Sequence, residues 1–307
     1  MSKRPAPPNL ELLLPSWLLS LRADRKSEQT LKGYSDGVRF YLRWCERVHA
    51  DPLDRGSLRG WVTELMDGGN RPATARARQL AVRRFTAWLT EEGELPADPF
   101  VGMTGPKLDT TVVEPLSEDD LRALLRACQP PSGATPAETL RHRRDEAILR
   151  LMLETGARAG EVVGLQVADL DLPGGTAVIR RGKGGRGRVV PFGPHTARAL
   201  DRYLRLRARH RLADSAALWV GDRGKGFTYD ALHKTLKQRA DAAGIDGFHP
   251  HKMRHTAAHR WLAAGGSEGG LMAVAGWTRP DMLMRYTRAQ AASRAAAEAR
   301  TLNLGDV

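Results

Sequence analysis

A proline-rich break constrains this chain more than any other feature. Residues 96–115 contain four prolines and two glycines and show no helical stripe of apolar residues. Proline continues neither a helix nor a central strand, so such a stretch separates folding units. We therefore assign residues 1–9 to a flexible tail, 10–102 to a first domain, 103–115 to a linker and 116–307 to a second domain.

The first domain has the periodicity of amphipathic helices. Apolar residues recur every three or four positions between residues 10 and 93, in stripes that begin at Leu10, Val38, Trp61 and Leu80. Short breaks that contain glycine, aspartate or proline separate the stripes. This pattern predicts an all-α bundle of four helices.

The second domain mixes helices with a hairpin. Ser117 and Asp120 have the spacing of a capping box, which marks a helix start. Thr176–Arg181 and Arg188–Pro191 are predicted to be short strands around a glycine-rich turn. The predicted helices span residues 117–128, 138–154, 158–166, 195–210, 229–243, 251–264, 268–275, 280–287 and 289–300. The predicted fold is thus mainly α with a small β-sheet or hairpin: an all-α bundle followed by a mixed, mostly α domain.

The charge of the chain limits its partners. The formal net charge is +13, and residues 106–307 contribute +10 of it (32 basic against 22 acidic side chains). Such a charge favours a polyanionic partner, nucleic acid first and an anionic membrane surface second. No apolar run approaches the roughly 20 residues of a membrane helix. The basic N-terminus lacks the apolar region of a signal peptide.

Cysteines and histidines give little sign of a metal site. Cys45 and Cys128 lie in apolar helical patterns, which favours buried free thiols over a disulfide or a metal pair. His249, His251 and His255 come nearest to metal-ligand spacing, but neither an HExxH motif nor an acidic cluster accompanies them. We therefore predict that the chain binds no metal.

Two motifs combine arginine with a histidine or a carboxylate. TGARAGE contains Arg158 and Glu161, and HPHKMRHT contains His251 and Arg254 near a predicted helix start. An arginine and a histidine on one face of a helix N-terminus favour a bound phosphate, although a solvated basic helix end has the same pattern. His255 is expected to point off that face as a structural histidine. Arg158 and Glu161 fit either a surface ion pair or an arginine directed at a phosphate.

The predicted hairpin carries five cations within nine residues, and no acid occurs from Leu172 to Leu200. A flexible basic hairpin that contacts phosphates explains this, but Lys183 at the tip also fits a proton donor whose pKa falls when it is crowded. The GKGG turn lacks the GxxxxGK[ST] pattern of a phosphate-binding loop. We therefore exclude a P-loop nucleoside triphosphatase. Further on, Tyr286 in GWTRPDMLMRY fits either a packed side chain or a nucleophile.

In their order along the chain, these motifs resemble the tyrosine recombinase (phage integrase) family in its compact, Xer-like, two-domain form. The resemblance rests on TGxRxxE, a basic GKG hairpin, HxxRH, Gly-Trp and a tyrosine nine residues later, and it covers nearly the whole chain. It implies a core-binding, SAM-like DNA-binding domain followed by a catalytic domain. It also implies a site-specific recombinase that cuts and rejoins DNA through a 3′-phosphotyrosyl intermediate, with no cofactor.

The resemblance implies a role for each motif. The implied catalytic residues are Arg158, Lys183, His251, Arg254, Trp277 and Tyr286, with Glu161 supporting them. Tyr286 would attack the scissile phosphate, and Lys183 would protonate the departing 5′-oxygen. The arginine forks would clamp the non-bridging oxygens in place of metal ions.

The implied partner is double-stranded DNA at a specific site, on which the chain forms a tetramer through its C-terminal docking helix. Candidate backbone contacts are Arg71, Arg76, Arg78, Arg83, Arg84, Arg180, Arg181, Arg186 and Arg188, for which a solvated basic face is the alternative. We expect a cytoplasmic, nucleoid-associated protein without membrane contact. A type IB topoisomerase-like nicking and relaxing enzyme and an inactive DNA-binding protein stay open as alternatives.

Overall fold

The computed structural model describes residues 8–108, 114–180, 187–221 and 226–279, together with Leu283 and Arg300. Contacts within the chain divide it into two units, Met1–Thr111 and Val112–Val307.

The first unit is all-α, as the sequence predicts. Its helices are α1 (Leu10–Ala23), α2 (Glu28–Val48), α3 (Arg55–Asp67) and α4 (Pro72–Glu91). Asn9, Ser27 and Asp54 cap the first three helices, because each side chain accepts a backbone N–H of the first turn. Pro72 occupies the first position of α4, where its missing N–H has no cost.

Aromatic side chains hold these helices together. The ring of Trp17 on α1 lies 5.1 Å from that of Phe85 on α4, and the ring of Tyr41 on α2 lies 5.0 Å from that of Trp61 on α3. All four side chains are buried. The Tyr41 hydroxyl donates to the carbonyl of Pro52, so this polar group is satisfied within the core.

The second unit combines helices with a small sheet. Its elements are α5 (Glu118–Arg126), α6 (Pro136–Thr155), α7 (Ala159–Val163), a 3₁₀ turn (Val167–Asp169), β1 (Leu170–Asp171), β2 (Thr176–Ile179), β3 (Arg188–Pro191), α8 (Pro194–Arg207), α9 (Tyr229–Ala242), α10 (Pro250–Ala263) and α11 (Glu268–Ala275). The strands are antiparallel in the order β1-β2-β3. Helix α6 is the central helix, with Ala147, Ile148, Leu149, Leu151 and Met152 all buried. It packs against both α8 and α10.

The sequence prediction differs from the structure at several element ends. Strand β1 was not predicted, because two residues are too short to show alternation. Helix α7 stops at Val163 rather than at residue 166, since Gly164 follows it. Strand β2 stops at Ile179 rather than at Arg181. The predicted C-terminal helices at 280–287 and 289–300 lie outside the described residues, apart from Leu283 and Arg300.

The structure also bears on the cysteines and on membrane contact. Cys45 and Cys128 are both buried and free, as predicted. Among the helices that the structure describes, none has the length and apolar content that crossing a bilayer requires.

Candidate active site

Arg158 lies at a sharp turn between two helices of the second unit. Helix α6 ends at Gly156, whose φ of +59° is a left-handed conformation that favours glycine. The chain then enters α7, with Arg158 in the position that precedes its first residue. Glu161 accepts the backbone N–H of Arg158 at 2.9 Å and its guanidinium Nη1 at 2.9 Å. One carboxylate therefore fixes both the backbone and the side chain of Arg158.

Arg188 reaches the same carboxylate from β3. Its Nη1 and Nη2 donate to the two oxygens of Glu161 at 3.1 and 2.8 Å, which is the bidentate geometry of a strong pair. The Arg188 side chain is 12% exposed, against 30% for Arg158. In this structure the Arg188 guanidinium is therefore turned inward onto Glu161, whereas the sequence pattern predicted a contact with the DNA backbone.

Glu161 keeps its charge in this position. Burial alone would raise the pKa of its carboxyl, but the hydrogen bonds from Arg188 and Arg158 outweigh burial and lower that pKa below its usual value. The ionised carboxylate thus holds two guanidinium groups close together, which neutralises part of their mutual repulsion.

Arg254 lies on α10 and is 2% exposed. Its Nη1 donates to the carbonyl of Gly156 at 2.7 Å, and its Nη2 donates to the carbonyl of Ala275 at 2.7 Å. Its guanidinium carbon also lies 5.3 Å from the ring centre of Trp277, within the range of a cation–π contact. Arg254 therefore joins the turn that precedes Arg158 to the end of α11.

The last turn of α11 is held by two arginines. The Val274 carbonyl accepts from Arg188 Nε at 2.7 Å, and the Ala275 carbonyl accepts from Arg254. Helix C-termini expose such carbonyls and carry partial negative charge, so cations stabilise them. Gly276 follows with a φ of +64°, and a Cβ at this position would lie 3.0 Å from the Arg188 guanidinium. Both features favour glycine at this position.

Three histidines lie close together at the N-terminus of α10: its N-cap His249, and His251 and His255 within the helix. The rings of His251 and His255 meet edge to face with centroids 4.7 Å apart, and the rings of His249 and His251 stack at 6.4 Å. The expectation that His255 points away from His251 is wrong, because residues four apart on a helix are neighbours. The sequence predicts that His251 and Arg254 share one face of the helix. In the structure His251 is exposed to solvent, whereas Arg254 is buried in the core.

His255 gives the second unit a pH dependence. Burial, followed by the charges of His251, His259, His249 and Arg254, lowers its pKa from 6.5 to about 4. The native state thus favours neutral His255. The contribution of this histidine to the free energy of unfolding is complete above pH 6.5. It is lost as the pH falls towards about 4, at up to about 1.4 kcal/mol per pH unit. We expect His255→Gln to flatten the dependence of the urea midpoint on pH over this window. The exposed control His195→Gln should retain the original dependence, and an unchanged profile in His255→Gln would contradict the assignment.

Several predicted site residues lie outside the described residues: Lys183, Tyr286, Arg181 and Arg186. Among the other basic candidates, Arg71, Arg76, Arg84 and Arg180 are exposed, whereas Arg78 and Arg83 are partly buried. Arg180 pairs with the buried carboxylate of Asp169. Arg78 lies 5.0 Å from the ring centre of Phe40. Within the described ranges, His, Cys, Asp and Glu side chains form no group of three or more that could hold a metal ion.

The inward role of Arg188 was missed, although the sequence carries a signal for it. In β3, Arg188 pairs with the buried Ile179 of β2 and lies two residues before the buried Val190. Residues two apart on a strand share a face, so alternation places Arg188 on the side of the core. Its membership of a run of cations concealed this pattern.

Comparisons with known proteins show which family the two units resemble. Residues 114–293 match the model of the phage integrase family, and residues 14–93 match that of the phage integrase N-terminal SAM-like domain. The chain is 33% identical over 253 residues to the tyrosine recombinase XerC of Azotobacter vinelandii. The matched region covers 81% of this chain and 82% of that protein.

Solved structures show the same fold. The Tn1549 transposon integrase, solved in complex with transposon right-end DNA, has a TM-score of 0.71 at 17% identity, covering 96% of this chain and 99% of that one. A lambda integrase tetramer bound to a Holliday junction has a TM-score of 0.65 at 15% identity, covering 88% and 77%. The fold and these similarities define a tyrosine-type site-specific recombinase. The chain belongs to the phage integrase family, matching it in both its SAM-like and its catalytic part.

Proposed function

We propose that this recombinase cuts DNA with Tyr286 as the nucleophile and with Arg158 and Arg254 as the clamp on the scissile phosphate. The observation that carries the proposal is the hydrogen bond from Arg254 to the Gly156 carbonyl, two residues before Arg158. It links the second arginine to the turn that bears the first across 98 positions of sequence. Planar guanidinium groups suit the non-bridging oxygens, on which charge grows in the transition state.

The other catalytic residues complete the transfer. The Tyr286 oxygen bonds to phosphorus and loses its proton, with the exposed His251 assisting. The bond from phosphorus to the 5′-oxygen breaks, and Lys183 supplies the proton that this oxygen takes up. The resulting 3′-phosphotyrosine conserves the phosphodiester energy, so a 5′-hydroxyl of another strand reseals the DNA by the reverse steps. Trp277 donates its indole N–H to the phosphate. Glu161 orients Arg158 through its two hydrogen bonds and does not itself contact the phosphate.

DNA binding has to alter the surroundings of Arg254. This side chain is 2% exposed, and the cavity beside it, of about 10 Å³, holds at most one water molecule. A phosphate oxygen therefore reaches Arg254 only when its side chain or the chain around it shifts. Arg158 is more accessible and is the first of the two arginines to meet the phosphate.

The partner in this proposal is a specific site on double-stranded DNA, bound by a tetramer of this chain. The DNA complex of the Tn1549 integrase and the Holliday-junction tetramer of lambda integrase support it. Basic side chains supply the contacts to the DNA backbone: the exposed Arg71, Arg76, Arg84 and Arg180, together with Arg78, Arg83, Arg181 and Arg186. Residues 289–300 dock on a neighbouring subunit, and the protein acts in the cytoplasm on the nucleoid.

A nicked suicide substrate tests the chemistry. We expect the chain to form a covalent protein–DNA adduct at the 3′ end of the break without ATP or added metal, in the presence of a chelator. The absence of an adduct on every site that the chain binds specifically would leave the inactive DNA-binding alternative. Recombinant products from two-site plasmids support recombination, whereas relaxation of supercoils without dependence on a site would instead indicate a type IB topoisomerase-like activity.

A further inference from the structure

The structure describes two cations of the predicted basic hairpin, Arg180 and Arg188. Of these two, Arg188 has its guanidinium turned towards the core. Its three nitrogens donate to the two oxygens of Glu161 and to the carbonyl of Val274. Arg180, on the neighbouring strand end, is exposed and pairs with Asp169 outside this cluster. The two arginines thus differ in what they can do, although the sequence pattern treats them alike.

The contacts of Arg188 join two parts of the second unit that are distant in sequence. On one side, Glu161 holds the backbone and the guanidinium of Arg158. On the other side, Val274 lies in the last turn of α11, two residues before Gly276 and three before Trp277. A single guanidinium therefore sets the spacing between the Arg158 turn and the end of the helix that leads towards Tyr286.

Two observations show that this contact is a specific one. Gly276 leaves space for the guanidinium, because a Cβ there would lie 3.0 Å from Arg188 Nη1. The Arg188 side chain is also 12% exposed, so its pairing with Glu161 is little weakened by solvent. Lysine would keep the charge, but it lacks the planar fork that bonds a carboxylate and a carbonyl together.

We propose that Arg188 is a positioning residue of strand cleavage: through Glu161 and the Val274 carbonyl it fixes the end of α11, and hence the start of the Tyr286 segment, relative to Arg158. This inference rests on the proposed function, since it takes Arg158 and Tyr286 as catalytic. Arg188 itself touches neither DNA nor the reacting atoms. A displacement of about 1 Å in such a geometry costs up to about 100-fold in rate.

The test compares Arg188→Gln with the matched control Arg205→Gln, both in the 307-residue chain. Arg205 is an exposed arginine of α8 that pairs with Asp201. For Arg188→Gln we expect unchanged affinity for the target DNA and an unchanged salt dependence of binding. The single-turnover rate of adduct formation per DNA-bound molecule should fall by roughly 10- to 100-fold. For Arg205→Gln we expect unchanged folding, affinity and saturated rate, because an exposed ion pair contributes little.

Two further variants separate positioning from folding. Arg188→Lys retains the charge, so it should fold and bind DNA while cleaving slowly. The double variant Arg188→Gln/Glu161→Gln should cleave no more slowly than the slower single variant, because both changes break the same connection. A purely structural role would lower the folded fraction and leave the rate per bound molecule unchanged.

Three results would overturn the proposal. The first is an Arg188→Gln variant with a reduced salt slope and a normal saturated rate, which would make Arg188 a phosphate contact. The second is a normal rate in both Arg188 variants, and the third is a fully additive loss in the double variant. Absence of any adduct with the unaltered chain would instead refute the proposed function, so the two failures are distinguishable.

Discussion

Tyr286→Phe is expected to bind its DNA site with unchanged affinity and to form no covalent adduct. The substitution removes the one oxygen that the proposed chemistry attaches to phosphorus, so no alternative path to the same intermediate remains. Binding should persist because it depends on the many backbone contacts that basic side chains provide. The measurement is a denaturing gel of protein mixed with a nicked suicide substrate, beside a binding titration on the intact site.

The other tyrosines provide matched controls for this experiment. Tyr229 is exposed at the start of α9. Tyr229→Phe should form adduct at the rate of the unaltered chain. An adduct in Tyr286→Phe, or its disappearance in Tyr229→Phe instead, would show that another residue is the nucleophile.

Arg158→Lys is expected to reduce the rate of adduct formation by about 10²- to 10³-fold while the chain stays folded. Lysine keeps the positive charge, so DNA binding should change little. It cannot present two parallel N–H groups to a phosphate, and the loss of one such donor to a developing charge costs about 2.7–4 kcal/mol. The rate should be measured in single turnover with all DNA bound, so that binding does not contribute.

Arg122→Lys is the matched control for this substitution. Arg122 also donates to a carboxylate three residues away, that of Asp119, but it lies at the surface of α5. Its replacement should leave both folding and cleavage unchanged, because exposed ion pairs contribute little. If Arg158→Lys cleaves within a few-fold of the unaltered chain, Arg158 is not part of the phosphate clamp.

Local patterns in the sequence were sufficient for much of the fold. The apolar stripes of residues 10–93 predicted an all-α first unit, and prolines such as Pro136 and Pro250 lie at the first positions of their helices in the structure. These features depend on backbone geometry within a few residues, which is why a single sequence reveals them. Ends set by one glycine, as after Val163, were less well predicted.

The sequence by itself determined the helical periods, the free cysteines and the order of motifs that places the chain among tyrosine recombinases. Only the tertiary structure decided that Arg188 faces Glu161 rather than solvent, that Arg254 is buried between Gly156 and Ala275, and that His255 lies against His251. The reason is physical. Periodicity is a property of neighbours along the chain. The partner of a buried charge is instead a carbonyl or carboxylate that folding brings near, which for Arg254 lies 98 positions away in sequence.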